Sequence, residues 1–357
     1  MSDLNTTYGN GTALLPAPSQ WGWTCKVVTY HLVVAVGLVV NSLTFIVMKT
    51  PRLKSKSYSH YLSALAVFDS LVLMSQEVHI IDEILVIGFH QRGVFRGFSD
   101  EACKILSFSD AVCNLMSAWL IVVMALERLW VVSMPFRTNG TMWFRQKGAI
   151  IIILSLFAVT SATQVFRLAM VEKSGWTCMG SSNLYVSLHV YMYQFVLHST
   201  APIAIVLIAN MGVITQIFRV ERATHGEESS STRLTGGGPQ RRSKTTRMMV
   251  YISLTYILTS VPLVSLTIFL HALAKQAAPN AHSIAVRCLP WLHVLQVVAS
   301  INYASNFFIY ILSGKKFRIE LGHMLSCNRR PAREQITSIN TRSGSIRTRD
   351  DILLTTI

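Results

Sequence analysis

The chain has 357 residues and a net charge of +15, yet only 14% of its residues are charged while 51% are hydrophobic. Its mean hydropathy is +0.42. A soluble domain carries roughly a quarter charged residues, so a water-soluble globular chain is excluded and the composition points to a membrane.

Residues 1–26 form a polar N-terminal tail. They contain no charged start followed by an apolar run, so a cleavable signal is not expected. Asn5-Thr6-Thr7 and Asn10-Gly11-Thr12 are glycosylation sequons there. Seven apolar runs follow, near 27–49, 59–86, 104–132, 147–170, 187–218, 246–273 and 285–313. Each can cross a hydrocarbon core, which takes about twenty helical residues. None alternates polar with apolar residues, so a β-barrel is excluded. The expected fold is all-α: a seven-transmembrane helix bundle over 27–313, then a short amphipathic membrane-surface helix over 314–327. A disordered cytoplasmic tail is expected over 328–357.

Orientation follows the positive residues. With the N-terminus outside, 24 of the 32 Lys and Arg lie in 49–58, 128–147, 219–247 and the tail from 315. The expected place is therefore the plasma membrane, multi-pass, with an extracellular N-terminus. The positive charge faces anionic inner-leaflet lipid and cytosolic partners, and nucleic acid need not be invoked. Asn139-Gly140-Thr141 is then cytosolic and expected to stay unmodified.

A charge inside a spanning helix is costly and therefore marks a site. In chain order the polar residues inside the runs begin with Asn41 and Asp69. Glu77, His79, Asp82 and Glu83 follow in the outer half of the second run, and Asp110, Ser117 and the pair Glu127-Arg128 lie in the third. Gln194 and His198 precede Pro202 in the fifth run, and Asn302 and Asn306 lie in the seventh. Asp69, Ser117, Asn302 and Asn306 supply oxygens for a small cation, or else form a structural hydrogen-bond network with Asn41. Asp110 and Arg128 are eighteen residues, five turns, apart and share a face of one helix. Asp110 with the acids of the second run makes an acidic mouth that favours a cationic ligand, and Gln194 and His198 are candidates to hydrogen-bond it.

Cys103 and Cys178 both fall on the oxidising side, where disulfides persist. Cys25 and Cys288 top the first and seventh runs and are candidates for a second bridge. Cys113 reads as core, and Cys327 as a palmitoylation candidate after the helix marked by Phe317, Leu321 and Leu325. The Ser-rich segment 224–244 and the tail are candidates for phosphorylation. There is no internal repeat, nucleotide-binding glycine loop or metal motif, and catalysis has no support.

Taken together these marks resemble the rhodopsin-like (class A) G-protein-coupled receptors, across residues 27 to 326. They are Asn41, Asp69, Cys103 with Cys178, Glu127-Arg128-Leu129 for Asp-Arg-Tyr, Pro135, Pro202, Pro262 and Asn306 through Tyr310. The resemblance implies that Arg128 is restrained by Glu127 at rest and contacts a heterotrimeric G protein when helix six swings outward. It implies that Phe136 docks in that protein, that Tyr310 takes part in activation, and that arrestin and receptor kinases are partners. No cofactor is expected beyond an allosteric sodium ion at the Asp69 network.

The departures are specific. Phe307 stands at the helix-seven proline and Ser260 at the helix-six tryptophan. Asn210 replaces a tyrosine, the helix-four tryptophan is missing, and Arg242 stands where some members carry an acid. Opsins need a helix-seven lysine, and residues 289–313 contain none. Aminergic receptors place an aspartate where Asp110 stands, which makes a biogenic amine or other small cation the alternative ligand. Gln194, His198, Leu263 and Val264 occupy their helix-five serine and helix-six aromatic positions, which leaves an amine little to stack on. "NYASNFFIYILSGKKFR" and "KTTRMMVYI" are most like neuropeptide receptors of the FMRFamide-like and related groups. A basic or amidated extracellular peptide is therefore the expected ligand.

Overall fold

A computed structural model describes residues 20–89, 93–94, 99–134, 146–174, 177–180, 182–227, 239–275 and 281–326. Asn5, Asn10, Phe136, Asn139 and Cys327 lie outside the described residues, as does the side chain of Arg242.

All seven runs are helices. They are α1 (Gln20–Met48), α2 (Ser57–Glu83), α3 (Asp100–Ser133) and α4 (Gln146–Met170), then α6 (Pro239–Lys275) and α7 (Ala281–Ser313). Between α4 and α6, α5 has three consecutive parts: Asn183–Ser187, a π-helical Leu188–Thr200, and Ala201–Glu227. A π turn, Ile84–Gly88, continues α2. The helices α5 and α6 run beyond the apolar stretches, to Glu227 and from Pro239. A short α8 (Lys315–Leu325) follows α7. The described residues fall into two compact units, one ending at Phe317 and the other beginning at Arg318.

The all-α expectation holds but for one short hairpin between α4 and α5. Its strands β1 (Glu172–Ser174) and β2 (Thr177–Met179) are antiparallel, with Lys173 opposite Cys178. Cys178 is bridged to Cys103 near the start of α3, with 5.2 Å between their Cα atoms. That start is capped by Ser99, whose side chain accepts from Ala102 N, and carries Asp100 and Glu101 where the helix dipole favours acids. Around the bridge Cys103, Val171 and Tyr185 form a buried cluster. The second candidate bridge is not formed: Cys25 and Cys288 are free thiols. Cys25 is exposed, and its neighbour Lys26 is held toward α2 by Glu83 at 2.6 Å.

Neighbouring helices close a ring in which α1 packs on α2 and α7, and α6 on α7 and α5. Inside it α3 touches α2, α4, α5 and α6. Accordingly 56% of its most apolar window is buried, against 17% for α4. The outer faces carry bare apolar side chains, among them Leu154, Ile208, Leu258, Trp291 and Leu312, each more than 60% exposed. Water would not tolerate such continuous apolar cover. Lipid does, provided each helix satisfies its own backbone. Hydroxyls within the spans follow the same rule: Thr160 donates to Leu156 O and Thr255 to Tyr251 O.

Candidate functional site

Polar side chains that single helices cannot satisfy meet inside the ring at three levels. At the end bearing the disulfide, Asp110 projects half-buried from α3. Asn114, one turn on, donates its Nδ2 to Asp110 Oδ1 at 3.1 Å and to Asp110 O at 2.8 Å. Tyr303 of α7 in turn donates its hydroxyl to Asn114 Oδ1 at 2.9 Å. No cation pairs with Asp110 among the described residues.

The acids of α2 are less free than their sequence implies. Glu77 Oε1 lies 2.6 Å from His31 Nδ1, and Glu83 is the partner of Lys26. Glu77 Oε2 is buried without a partner. Among the described residues Asp110 thus lacks a cationic partner, while Glu83 is paired and Glu77 is half-engaged. Ser300 Oγ sits 2.8 Å from Tyr30 Oη and 3.0 Å from Gln76 Oε1, joining α7 to α1 and α2 on the same level.

Gln194 and His198 are half-buried on the π-helical part of α5. That segment exists beside Pro202, which has no N–H. Pro202 cannot donate to Leu197 O, as a π register asks, or to His198 O, as an α register asks, and side chains reach both carbonyls instead. Trp119 Nε1 of α3 donates to Leu197 O at 2.9 Å, and the Tyr256 hydroxyl of α6 donates to His198 O at 2.6 Å. Sequence reading singled out neither Trp119 nor Tyr256. The proline and the two nearby donors were the signal, but only the fold shows that they meet.

At the middle level Asp69 is completely buried. Its Oδ1 accepts from Ser117 Oγ at 2.5 Å and its Oδ2 from Asn306 Nδ2 at 2.8 Å. Asn41 Nδ2 donates to the Tyr303 carbonyl at 3.0 Å. Three amide oxygens, those of Asn41, Asn302 and Asn306, stay buried without a donor. The structure thus brings together Asp69, Ser117 and Asn306 by direct bonds, while Asn41 and Asn302 adjoin through α7. Tyr303, which sequence reading passed over, connects this level to Asp110.

At the opposite end Glu127 and Arg128 are both nearly buried and 3.5 Å apart. Glu127 Oε1 also accepts from Ser57 Oγ at the start of α2, and Arg128 lies over the Tyr58 ring, 5.6 Å from its centroid. Arg128 Nε, Tyr310 Oη and Asn210 Nδ2 are buried with no partner. Phe307 leaves α7 helical through to Ser313. Its ring packs edge-on against Phe317 at 5.6 Å, and Phe317 also meets Tyr310 at 5.5 Å.

Seven spanning helices, one bridged loop and a buried acid-to-arginine core define an integral, multi-pass membrane protein. The family described as "7 transmembrane receptor (rhodopsin family)" matches residues 25–310. The chain belongs to the rhodopsin family of seven-transmembrane receptors, which are not enzymes. It is 23% identical to human neuropeptide FF receptor 1 over 320 residues, covering 82% of this chain and 68% of that protein. To growth hormone secretagogue receptor type 1 of Mustela putorius furo it is 21% identical over 325 residues, covering 87% and 82%. To rhodopsin of Sardina pilchardus it is 22% identical over 361 residues, covering 94% of each.

Proposed function

We propose that this receptor recognises an extracellular peptide carrying a basic group and signals through a heterotrimeric G protein. The observation that carries it is Asp110, a half-buried carboxylate facing no cation among the described residues, whose hydrogen bonds run through Asn114 and Tyr303 to Asn41. A cationic group on the ligand supplies the missing counter-charge. Glu77, Gln194 and His198 line the approach. Two relatives whose names mark them as a neuropeptide receptor and a secretagogue receptor support a peptide over an amine, as do Gln194 and His198 standing where aminergic receptors place helix-five serines. The N-terminus is extracellular in this reading, and arrestin and receptor kinases act at the opposite face.

Signal transfer rests on the Glu127–Arg128 pair. Release of Arg128 as α6 moves outward opens a surface for the G protein, with Phe136 beside it. The oxygen-rich level at Asp69 fits a sodium ion, since the orphan oxygens of Asn302 and Asn306 are acceptors that a cation satisfies. Bound there, the ion would neutralise Asp69 and favour the resting arrangement.

Expression in cultured cells with amidated basic peptides and biogenic amines, read as G-protein activation, tests the reading. Activation by a basic peptide, with a half-maximal concentration raised at least about tenfold by Asp110→Asn, about 1.4 kcal/mol, is expected. Activation by an amine alone, dependent on Asp110, would replace the peptide reading with the amine one.

A further inference from the structure

A second charge lies buried at the disulfide end, in a helix whose polar residues drew no attention. Arg167 stands one turn before the end of α4. An arginine there ordinarily extends its head to the interface. This one is 4% exposed and turns inward.

Its donors meet only neutral acceptors. Nε donates to Gln164 Oε1 at 3.0 Å. One terminal nitrogen donates to Ser107 Oγ at 3.0 Å and lies 3.5 Å from Tyr185 Oη. The other is 2.7 Å from His189 Nδ1. The guanidinium rests 4.5 Å from the centroid of the Tyr193 ring and 5.5 Å from that of Phe166. No carboxylate pairs with it among the described residues.

A buried charge is stable when an opposite charge accompanies it, and leaving it alone is costly. Intramembrane arginines pair with acids or line ligand paths. Glu172 lies five residues on, at the start of β1, and Asp110, one turn from Ser107 on α3, is bonded to Asn114 instead. Two opposite charges thus face the same end of the bundle without meeting. Of the neutral acceptors on Arg167, Ser107 and His189 are only half-buried, so an incoming anion displaces these two first. The planar fork of the guanidinium matches a carboxylate with two parallel bonds. Stacked rings of Tyr185, His189 and Tyr193, 5.8 and 5.5 Å apart in sequence along α5, wall the site with aromatic faces.

We infer that Arg167, with Ser107 and His189, is a carboxylate subsite for the ligand, so that the peptide presents a basic group to Asp110 and a carboxylate, beside an aromatic residue, to Arg167. This deepens the peptide-receptor reading and rests on it. A free C-terminus or an acidic side chain satisfies the subsite, and an amidated end does so poorly because it leaves the charge uncompensated.

The test uses the purified full-length receptor and two probes, N-acetyl-Arg-Phe as the free acid and as the amide. Affinities are read from the concentration dependence of the melting temperature. The free acid is expected to bind at least about tenfold more tightly than the amide. Arg167→Gln should erase the difference and Arg167→Lys should keep part of it, while Asp110→Asn weakens both probes. Equal affinity of acid and amide for the unaltered receptor overturns the subsite, whether or not Arg167→Gln folds, and so does a preference that survives in Arg167→Gln. Equal affinities that both fall in Asp110→Asn overturn the subsite alone and leave the peptide reading standing. Failure of both probes at millimolar concentration overturns the subsite together with the pairing of charges on which it rests.

Discussion

Asn306 of α7 donates its amide to Asp69 of α2 at 2.8 Å, across 237 positions of sequence. Ser117 of α3 bonds the other carboxylate oxygen at 2.5 Å, so three helices meet on one buried acid. Each oxygen takes one side-chain donor, and rearranging any of the three helices breaks at least one bond to a charge-bearing group. Such bonds contribute roughly 1.5–3 kcal/mol each.

Asp69→Asn replaces an acceptor that serves two donors by an amide. The sodium proposal makes this variant specific. The melting temperature of the unaltered receptor should rise when sodium chloride replaces choline chloride at constant ionic strength, and that of Asp69→Asn should not respond. An equal response in both removes sodium from this level.

Ser57→Ala frees one oxygen of Glu127, and Tyr58→Ala removes the ring beneath Arg128. Each weakens the resting hold on the arginine by about 1 kcal/mol. Ligand-independent G-protein activation should rise roughly fivefold at matched surface expression. Unchanged basal activity in both variants would show that α2 does not restrain the pair.

The carbonyls freed by Pro202 depend on side chains from two other helices. Trp119→Phe and Tyr256→Phe keep the ring but delete the donor, leaving Leu197 O or His198 O buried and unbonded. A loss of about 1–3 kcal/mol is expected for each. Thermal unfolding in detergent measures it, and an undiminished melting temperature in either variant counts against this account of the π-helical segment.

Cys103→Ser unties the hairpin from α3 across a separation of 75 residues. Loops of that size lose about 2–4 kcal/mol when a bridge is removed. Surface expression of the variant should fall, whereas Cys25→Ser, which alters a free exposed thiol, should leave it intact.

Much of the architecture was legible in the chain itself. The apolar runs announce α1 to α7 because a bilayer tolerates few charges over about twenty residues. For the same reason the exceptions Asn41, Asp69, Asp110, Glu127 and Arg128 stand out against their surroundings. Cys103 and Cys178 were readable from their position on one side of the membrane. Arg167 was not, because an arginine near a helix end reads as an interfacial anchor, and linear sequence does not say whether it turns out or in. Asn114, Tyr303, Ser57 and Tyr58 were equally silent, being ordinary residues whose meaning lies in a partner on another helix.

By itself the sequence determined how many helices cross the membrane, roughly where each begins and ends, and which costly polar groups they carry. Those are consequences of local composition against the solvent of the bilayer. Tertiary structure alone decided which acid finds which donor. It neutralises Glu83 with Lys26, half-engages Glu77 with His31, and gives Asp69 to Ser117 and Asn306. Among the described residues it leaves Asp110 and Arg167 without a counter-charge. Pairing depends on distances of a few ångströms between helices that lie far apart along the chain, and hydrophobic periodicity carries no record of those distances.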